Sequence, residues 1–302
     1  MSKVFISLLT FNDNESTLEC LESIRKLDRK DIELNVVVID NASVEPFVSR
    51  ESLKEFKLKI IRSNQNLGFS GGHNIGIKYS LQNGADYIVI LNNDTQVDKD
   101  LITNMLKAFK SDVGIVVPKI YFAKGFEYHK ERYSEKDKGK IIWYAGGEID
   151  WKNILGKHTG VDEVDSNKYS KTSETEIATG CCMMIKKEVF ENVGLLDDRY
   201  FLYYEDADFS IRSKIKGFKI QFEPAAKLWH KNAAATGGSG SELQDYYITR
   251  NRLIFGIKYG PFYSKLALLK ESIRLLYEGR KWQKIGVRDY YLRILGKGSY
   301  KR

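Results

Sequence analysis

The first 120 residues alternate between two periodicities, and that alternation restricts the fold more than any other property of the chain. VFISLLTF (4–11), LNVVVID (34–40), LKIIRS (58–63), YIVILN (87–92) and VGIVVP (113–118) are short, rich in β-branched residues and nearly continuous in hydrophobicity. Such runs are strands covered on both faces, the signature of a parallel sheet. Helical patterns lie between them. Leu18, Leu21, Ile24 and Leu27 recur every third residue, NIGIKYSLQNG ends on the helix-stop pair Asn83-Gly84, and LITNMLKAF supplies another helix. The expected fold is α/β, a doubly wound, mostly parallel sheet flanked by helices.

The pattern changes after Pro118. Residues 124–140 are dense in charge and lack an apolar period, so a mobile loop is expected there. Short strands with glycine turns follow over 141–165, and another apolar strand over 177–185. EVFENVG and DADFSIRSKIKG are short helices; two longer amphipathic helices meet at Gly260-Pro261. The chain of 302 residues is long enough for one sizeable core, with a helical C-terminal extension.

The formal net charge is +8, and it is concentrated. Residues 280–302 carry eight Lys and Arg against Asp289 alone, while the remainder is close to neutral. A solvated tail and contact with an anionic surface both explain this. Trp282 and Tyr290-Tyr291 accompany the charge without forming a nucleic-acid module, so no nucleic-acid partner is expected. Cys20, Cys181 and Cys182 are too few and too irregular for a disulfide framework, which fits a reducing compartment. The N-terminus lacks a signal-peptide layout, and no run approaches 18 apolar residues. A cytoplasmic location is expected, with peripheral contact at the inner membrane face.

In an open parallel sheet, ligands sit beyond the carboxyl ends of the strands. Polar groups exit three of the expected strands: Thr10 and Asn12, then Asp40, then Asn92-Asn93-Asp94. An Asp at the end of the second strand can accept the N3–H of a uracil or thymine ring. NLGFSGGHNIG (66–76) places glycines before a helix, where backbone amides favour anions. Asn92-Asn93-Asp94 offers a carboxylate and amide oxygens, ligands that suit Mg2+ or Mn2+ beside substrate phosphates. His230 can add a nitrogen ligand suited to Mn2+. Glu205-Asp206-x-Asp208 opens a helix with more carboxylates than the helix dipole requires, so one can serve as a base.

In order, TFN, IDNAS, NLGFSGGHNIG, NND, ATGCCMM, GLLDDRYFLYYEDADFSIR, LWHK and YYITRNRLIF resemble the family 2 glycosyltransferases over about residues 3–255. Within them the chain is most similar to bacterial and archaeal rhamnosyltransferase-like enzymes of surface polysaccharide synthesis. The resemblance implies a GT-A fold and an inverting transfer of sugar from a nucleoside diphosphate, dTDP-rhamnose or a UDP-sugar, to a saccharide or lipid-linked acceptor. It assigns the nucleotide to Thr10, Asn12, Asp40, Asn66, Gly71, Gly72, Asn74, Asn92 and Asn93. It gives a divalent cation, Mg2+ or Mn2+, to Asp94 and His230, and the role of base to Asp206. Acceptor or phosphate contacts fall to Gly180, Glu205, Arg250 and Asn251. Asn92 stands where relatives often carry Asp, which affects metal affinity and choice. The implied division is a catalytic domain over 1–255, its nucleotide half ending near 120, and a basic helical extension over 256–302. That extension either meets a membrane, packs on the catalytic domain or forms a homodimer interface. The alternatives are a sugar nucleotidyltransferase, which would need a basic glycine-rich loop where TFNDNES stands, and a non-catalytic sugar-nucleotide binding protein.

Overall fold

A computed structural model describes residues 1–50, 53, 57–232 and 240–301; Arg302 of the basic tail lies outside them. Four of the expected strands form the N-terminal part of the sheet: β1 (Ser2–Thr10), β2 (Ile32–Asp40), β3 (Leu58–Arg62) and β4 (Tyr87–Asn92). β1 pairs in parallel with both β2 and β4, and β2 with β3, so strand order reverses at β1. The crossovers are α1 (Asn14–Ile24) and α2 (Gly68–Gln82). After β4 come the short β5 (Thr95–Val97), α3 (Leu101–Ala108) and β6 (Val113–Phe122). Every residue of β6 is buried, which explains its unbroken apolar run. Covering one such Val or Ile is worth about 1.5–3 kcal/mol relative to leaving it exposed.

The second half makes the sheet mixed. β7 (Ile142–Tyr144) pairs with β6; β8 (Gly147–Asp150) and β9 (Leu155–His158) form a separate hairpin. After β10 (Ser173–Glu174), β11 (Cys182–Lys186) runs antiparallel between β4 and β6. α4 (Lys187–Val193) and α5 (Glu205–Ile215) follow, then β12 (Lys219–His230) parallel to β6. The strand order is β10-β12-β6-β11-β4-β1-β2-β3. β12 was not among the expected strands, and Pro224 within it is the reason: proline is confined to edges and bulges of sheets. The register against β6 shifts between Glu223 and Lys227, which accommodates the proline.

Residues 124–140 form the expected loop, with one 3-10 turn at Lys130–Arg132. Buried Glu127 accepts the amides of Gly125 (2.8 Å) and Gly139 (3.0 Å), closing the segment on itself. Tyr128 packs edge-on to Phe122. The three cysteines are free and buried, as small core filler; burial raises all three thiols, that of Cys20 to about 12.

The C-terminal helices are α6 (Glu242–Tyr259), α7 (Phe262–Glu278) and α8 (Lys281–Tyr291). The implied boundary after residue 255 falls inside α6, so the extension continues a helix of the catalytic half. α8 buries Trp282, Val287 and Asp289, and the Trp282 ring meets Tyr246 of α6. α7 sinks Leu268 into a cluster with Ile154 and Leu253, yet leaves Phe262, Tyr263, Leu266, Ile273 and Tyr277 exposed. Among the described residues, no helix is long and apolar enough to cross a membrane.

Candidate active site

Sheet register assembles the first corner of the site. β12 pairs antiparallel with β5 so that His230 lies opposite Thr95, and Lys231 donates its amide to the Asp94 carbonyl (2.9 Å). Two residues distant in sequence thus become neighbours: His230 Nε2 lies 3.1 Å from Asp94 Oδ1, and both side chains are buried. The contact lacks hydrogen-bond alignment, and both Asp94 Oδ1 and His230 Nδ1 are without a hydrogen-bond partner. Burial is the largest influence on the Asp94 carboxyl and raises it, but the contact with His230, the Asp94 backbone and the charge of Lys231 together hold the group below its ordinary value. An oxygen and a nitrogen donor converging without bonding each other suit a divalent cation. Among the described residues no third His, Cys, Asp or Glu joins them. The donor set therefore fits an ion completed by substrate phosphates and water, as Mg2+ commonly is. Asn92 lines the cavity beside them, while Asn93 turns to Thr17 Oγ1 (2.9 Å).

The second corner is the start of α5. Its three carboxylates have three different surroundings. Asp208 is fully buried and bound by Arg212 (2.6 Å), Lys258 (2.8 Å) and the Tyr259 hydroxyl (2.8 Å). Glu205 is buried with Oε2 unpartnered, and burial followed by the charge of Asp206 raises its pKa well above the ordinary range. Asp206 is half-buried at the cavity surface. Its Oδ2 accepts the Gly180 amide (2.9 Å) and its Oδ1 the Ala207 amide (2.8 Å). Burial raises its pKa despite these bonds, so this carboxylate holds a proton more tightly than an ordinary aspartate does.

The turn that delivers Asp206 is conformationally costly. Phe201, Tyr203 and Tyr204 all have positive φ (66°, 69° and 73°), a region unfavourable to bulky side chains. Arg250 and Asn251 of α6 hold it there. Asn251 Nδ2 donates to the carbonyls of Tyr200 (2.9 Å), Leu202 (2.8 Å) and Tyr203 (2.8 Å). Arg250 donates to Tyr200 O (3.0 Å) and Asn251 Oδ1 (3.0 Å). Both are fully buried and neither lines the cavity, so the structure gives them a role inside the protein in place of the implied phosphate or acceptor contact.

The glycine-rich stretch is corrected similarly. α2 starts at Gly68, so Gly71, Gly72 and Asn74 lie inside the helix. The first-turn amides of Phe69 (2.6 Å) and Ser70 (3.4 Å) already point at the Phe201 carbonyl, which occupies the place expected for an anion. Gly68 is required there: its φ is +71°, and a Cβ would stand 2.3 Å from Phe201 O. A Cβ on Gly72 would stand 2.4 Å from Leu9 Cδ1, so this glycine lets α2 pack on β1. Asn74 is buried and exchanges hydrogen bonds with the Leu196 backbone (2.9 and 3.1 Å). Asp40 is buried too, its carboxylate taken up by the amides of Ser43 (2.9 Å) and Phe47 (3.1 Å) and by Arg62. Thr10 donates to Asp13 O (3.2 Å); the Asn12 backbone amide donates to Ser43 Oγ (2.9 Å) and Asn12 Oδ1 accepts the Val44 amide (2.8 Å). Of the residues implied for the nucleotide, Asn66, Asn92 and Asn93 line the cavity; Thr10, Asn12, Asp40, Gly71, Gly72 and Asn74 do not.

Both corners open into one cavity of about 1080 Å3, at the upper limit of the ~300–1,000 Å3 usual for ligand sites. Gly180 and Glu205 line it as well. Several lining residues carried no sequence signal. Trp143 packs edge-on to His230 and His158. Burial lowers His158 to about 4, so the neutral ring donates from Nδ1 to Trp143 O (3.2 Å). Asn41 binds Asn66 and Gly68 O, bridging β2 to the start of α2. An aromatic or histidine in a short strand reads as core, and only the sheet shows which face it takes.

The sequence profile for glycosyl transferase family 2 matches residues 6–194. The chain belongs to that family. Its relatives include the low-salt glycan biosynthesis hexosyltransferase Agl10 of Haloferax volcanii, 27% identical over 72% of this chain and 66% of that protein. The dTDP-rhamnosyl transferase RfbF of Shigella flexneri is 25% identical over 84% of this chain and 79% of that one. Among solved structures, GalNAc-T7 with UDP, GalNAc and Mn2+ superposes with a TM-score of 0.65 at 17% identity, covering 97% of this family 2 chain and 56% of the other. The mannosyltransferase PcManGT of Pyrobaculum calidifontis, with GDP-Man and Mn2+, gives 0.52 at 13% identity, covering 96% and 86%. These likenesses show a glycosyltransferase with the GT-A fold.

Proposed function

We propose that this enzyme catalyses an inverting transfer of a sugar from a nucleoside diphosphate to an acceptor hydroxyl, with Asp206 as base. The observation that carries the reading is a single cavity lined both by a carboxylate–imidazole pair suited to a cation and by a separate carboxylate of raised basicity. Asp206 takes the acceptor hydroxyl proton. The freed oxygen bonds to the anomeric carbon, and the bond from that carbon to the diphosphate breaks with its electron pair leaving on the phosphate. Each Asp206 oxygen accepts one amide and has lone-pair capacity left for this proton. Asp94 and His230 would hold a divalent cation, which when bound would neutralise charge on the diphosphate.

Rhamnose carried on dTDP is the favoured donor, supported by the likeness to RfbF over 84% of the chain. A UDP-hexose is the second reading. The acceptor is a saccharide, free or lipid-linked. Purified protein is screened against a panel of nucleotide sugars for release of nucleoside diphosphate, with and without Mn2+. The expected result is acceptor-stimulated release from one donor, dTDP-rhamnose first. No release from any donor would overturn glycosyl transfer.

A lipid-linked acceptor fits the outer face of α7, where Phe262, Tyr263, Leu266, Ile273 and Tyr277 are exposed beside Lys265, Lys270 and Arg274. A helix so built can lie on the anionic inner face of the cell membrane, each cation near the surface contributing about 1 kcal/mol. The protein is expected to cosediment with anionic vesicles at low salt and to be released at high salt, where screening shortens the reach of charge. Indifference to anionic vesicles at low salt, with a dimer in sedimentation velocity, would make this face a homodimer interface instead.

A further inference from the structure

The segment 292–301 does not trail into solvent. It folds back from α8, and Lys297, Tyr300 and Lys301 line the same cavity as Asp94 and Asp206. Its backbone is anchored by four hydrogen bonds at three residues. The Gly296 amide donates to Arg199 O (2.8 Å), and Lys297 O accepts the Tyr247 hydroxyl (2.9 Å). The Ser299 amide donates to Tyr246 Oη (3.0 Å) and to Asp289 Oδ2 (3.0 Å). Gly298 passes so close to α6 that a Cβ would stand 1.9 Å from Tyr246 Oη, and its φ is +61°. Asp289, the single acid in this basic stretch, is fully buried beneath the strap and also accepts from Arg288 (2.7 Å). The Tyr300 ring packs against Tyr246, Tyr247 and Trp282.

The anchors use backbone atoms and Tyr300, which leaves the lysine side chains uncommitted. Among the described residues, neither Lys297 nor Lys301 forms an ion pair. Most carboxylates lining the cavity are engaged elsewhere: Asp13 caps α1, Asp94 faces His230, Glu127 closes its own loop and Asp206 holds two amides, while Glu205 is buried at the start of α5. Two unpaired ammonium groups on a fixed backbone, at the edge of a cavity whose substrate carries phosphate, form an anion-binding element.

We propose that the strap 292–301 is part of the substrate site and that Lys297 and Lys301 bind a phosphate group. This rests on the glycosyl-transfer reading for the source of the phosphate: either the donor diphosphate or a phosphate at the reducing end of the acceptor.

The test uses the full chain, Lys297→Ala/Lys301→Ala, and Lys297→Arg/Lys301→Arg as the conservative control. Binding of inorganic pyrophosphate and of the nucleoside diphosphate is measured by calorimetry at low and high salt. Transfer is measured to one saccharide prepared with a reducing-end phosphate and as its methyl glycoside. The Ala variant is expected to bind pyrophosphate about tenfold or more weakly, because hydrogen bonds between charged groups are stronger than neutral ones, and to lose most of its salt dependence; Arg restores both. A parallel loss of nucleoside diphosphate affinity assigns the strap to the donor. A KM increase confined to the phosphorylated acceptor assigns it to the acceptor. If the Ala variant matches the wild type in pyrophosphate binding and in KM for both acceptors, the proposal is overturned while glycosyl transfer stands. If pyrophosphate binding falls but no donor releases nucleoside diphosphate, the strap stands and the transfer reading fails.

Discussion

Asp206→Asn is expected to lower turnover by about 10²- to 10⁴-fold, the range for loss of a general base, while nucleoside diphosphate affinity changes less than twofold. The amide keeps the shape of the side chain and its oxygen can still accept the Gly180 amide, so the turn stays in place. It cannot take a proton. Turnover and calorimetric affinity together make the check, because a collapsed site would lose both. The pH dependence supplies an independent sign. Burial raises the Asp206 pKa above the ordinary 3.8, so kcat/KM should rise with pH along a limb lying above that value. For stability the sign is opposite: raised affinity for the proton in the folded state favours folding below this pKa and is lost as pH rises through it. More than a tenth of the wild-type turnover in Asp206→Asn would move the base elsewhere. Glu205 would then be the group to substitute, since it lines the cavity from the same turn.

The N-terminal part of the sheet was legible because its physics is local. β1, β2, β4 and β6 are largely buried, so each reads as an apolar run bounded by polar exits, and the parallel pairing of β1 with β2 and β4 follows from the helices between them. β12 was not legible, because Pro224 argues against a strand until the bulge that holds it is seen. Without β12, the meeting of His230 with Asp94 rested on resemblance alone; the pairing of β12 with β5 supplies the physical reason. Gly71 and Gly72 looked like a loop because glycine weakens helices. Their place in α2 is set by packing against Leu67 and Leu9, which no local pattern reports.

Polar residues misled in the opposite direction. Arg250 and Asn251 resembled ligand contacts, yet they satisfy backbone carbonyls of a turn with three positive φ angles. Buried carbonyls left unpaired cost about 1–3 kcal/mol each, so a strained turn at a base requires such partners. The strap is the same lesson at larger scale. A run of eight cations reads as surface, whereas its course is set by Asp289, Tyr246 and Tyr247.

Asp94→Ala is expected to remove metal-dependent activity and to weaken Mn2+ binding, measured in the presence of nucleoside diphosphate, by about 100-fold or more. Loss of an outer-shell partner alone typically costs 10–100-fold in metal affinity, and Asp94 is the carboxylate in contact with His230. His230→Ala should have the smaller effect, since the anionic ligand Asp94 and the phosphates remain while only one nitrogen donor is lost. The ordering matters because it separates two explanations of the pair. If Asp94 and His230 were only a buried ion pair, removing either partner would leave the other unpaired, and both variants would lose stability alike with Mn2+ affinity unaffected. Paramagnetic relaxation of water by Mn2+ reports affinity without any turnover, and thermal unfolding reports stability. Full activity of the wild type in excess EDTA, together with unchanged Mn2+ relaxation in Asp94→Ala, would leave the diphosphate to be neutralised by protein cations alone. The lysines of the strap would then be the first groups to substitute.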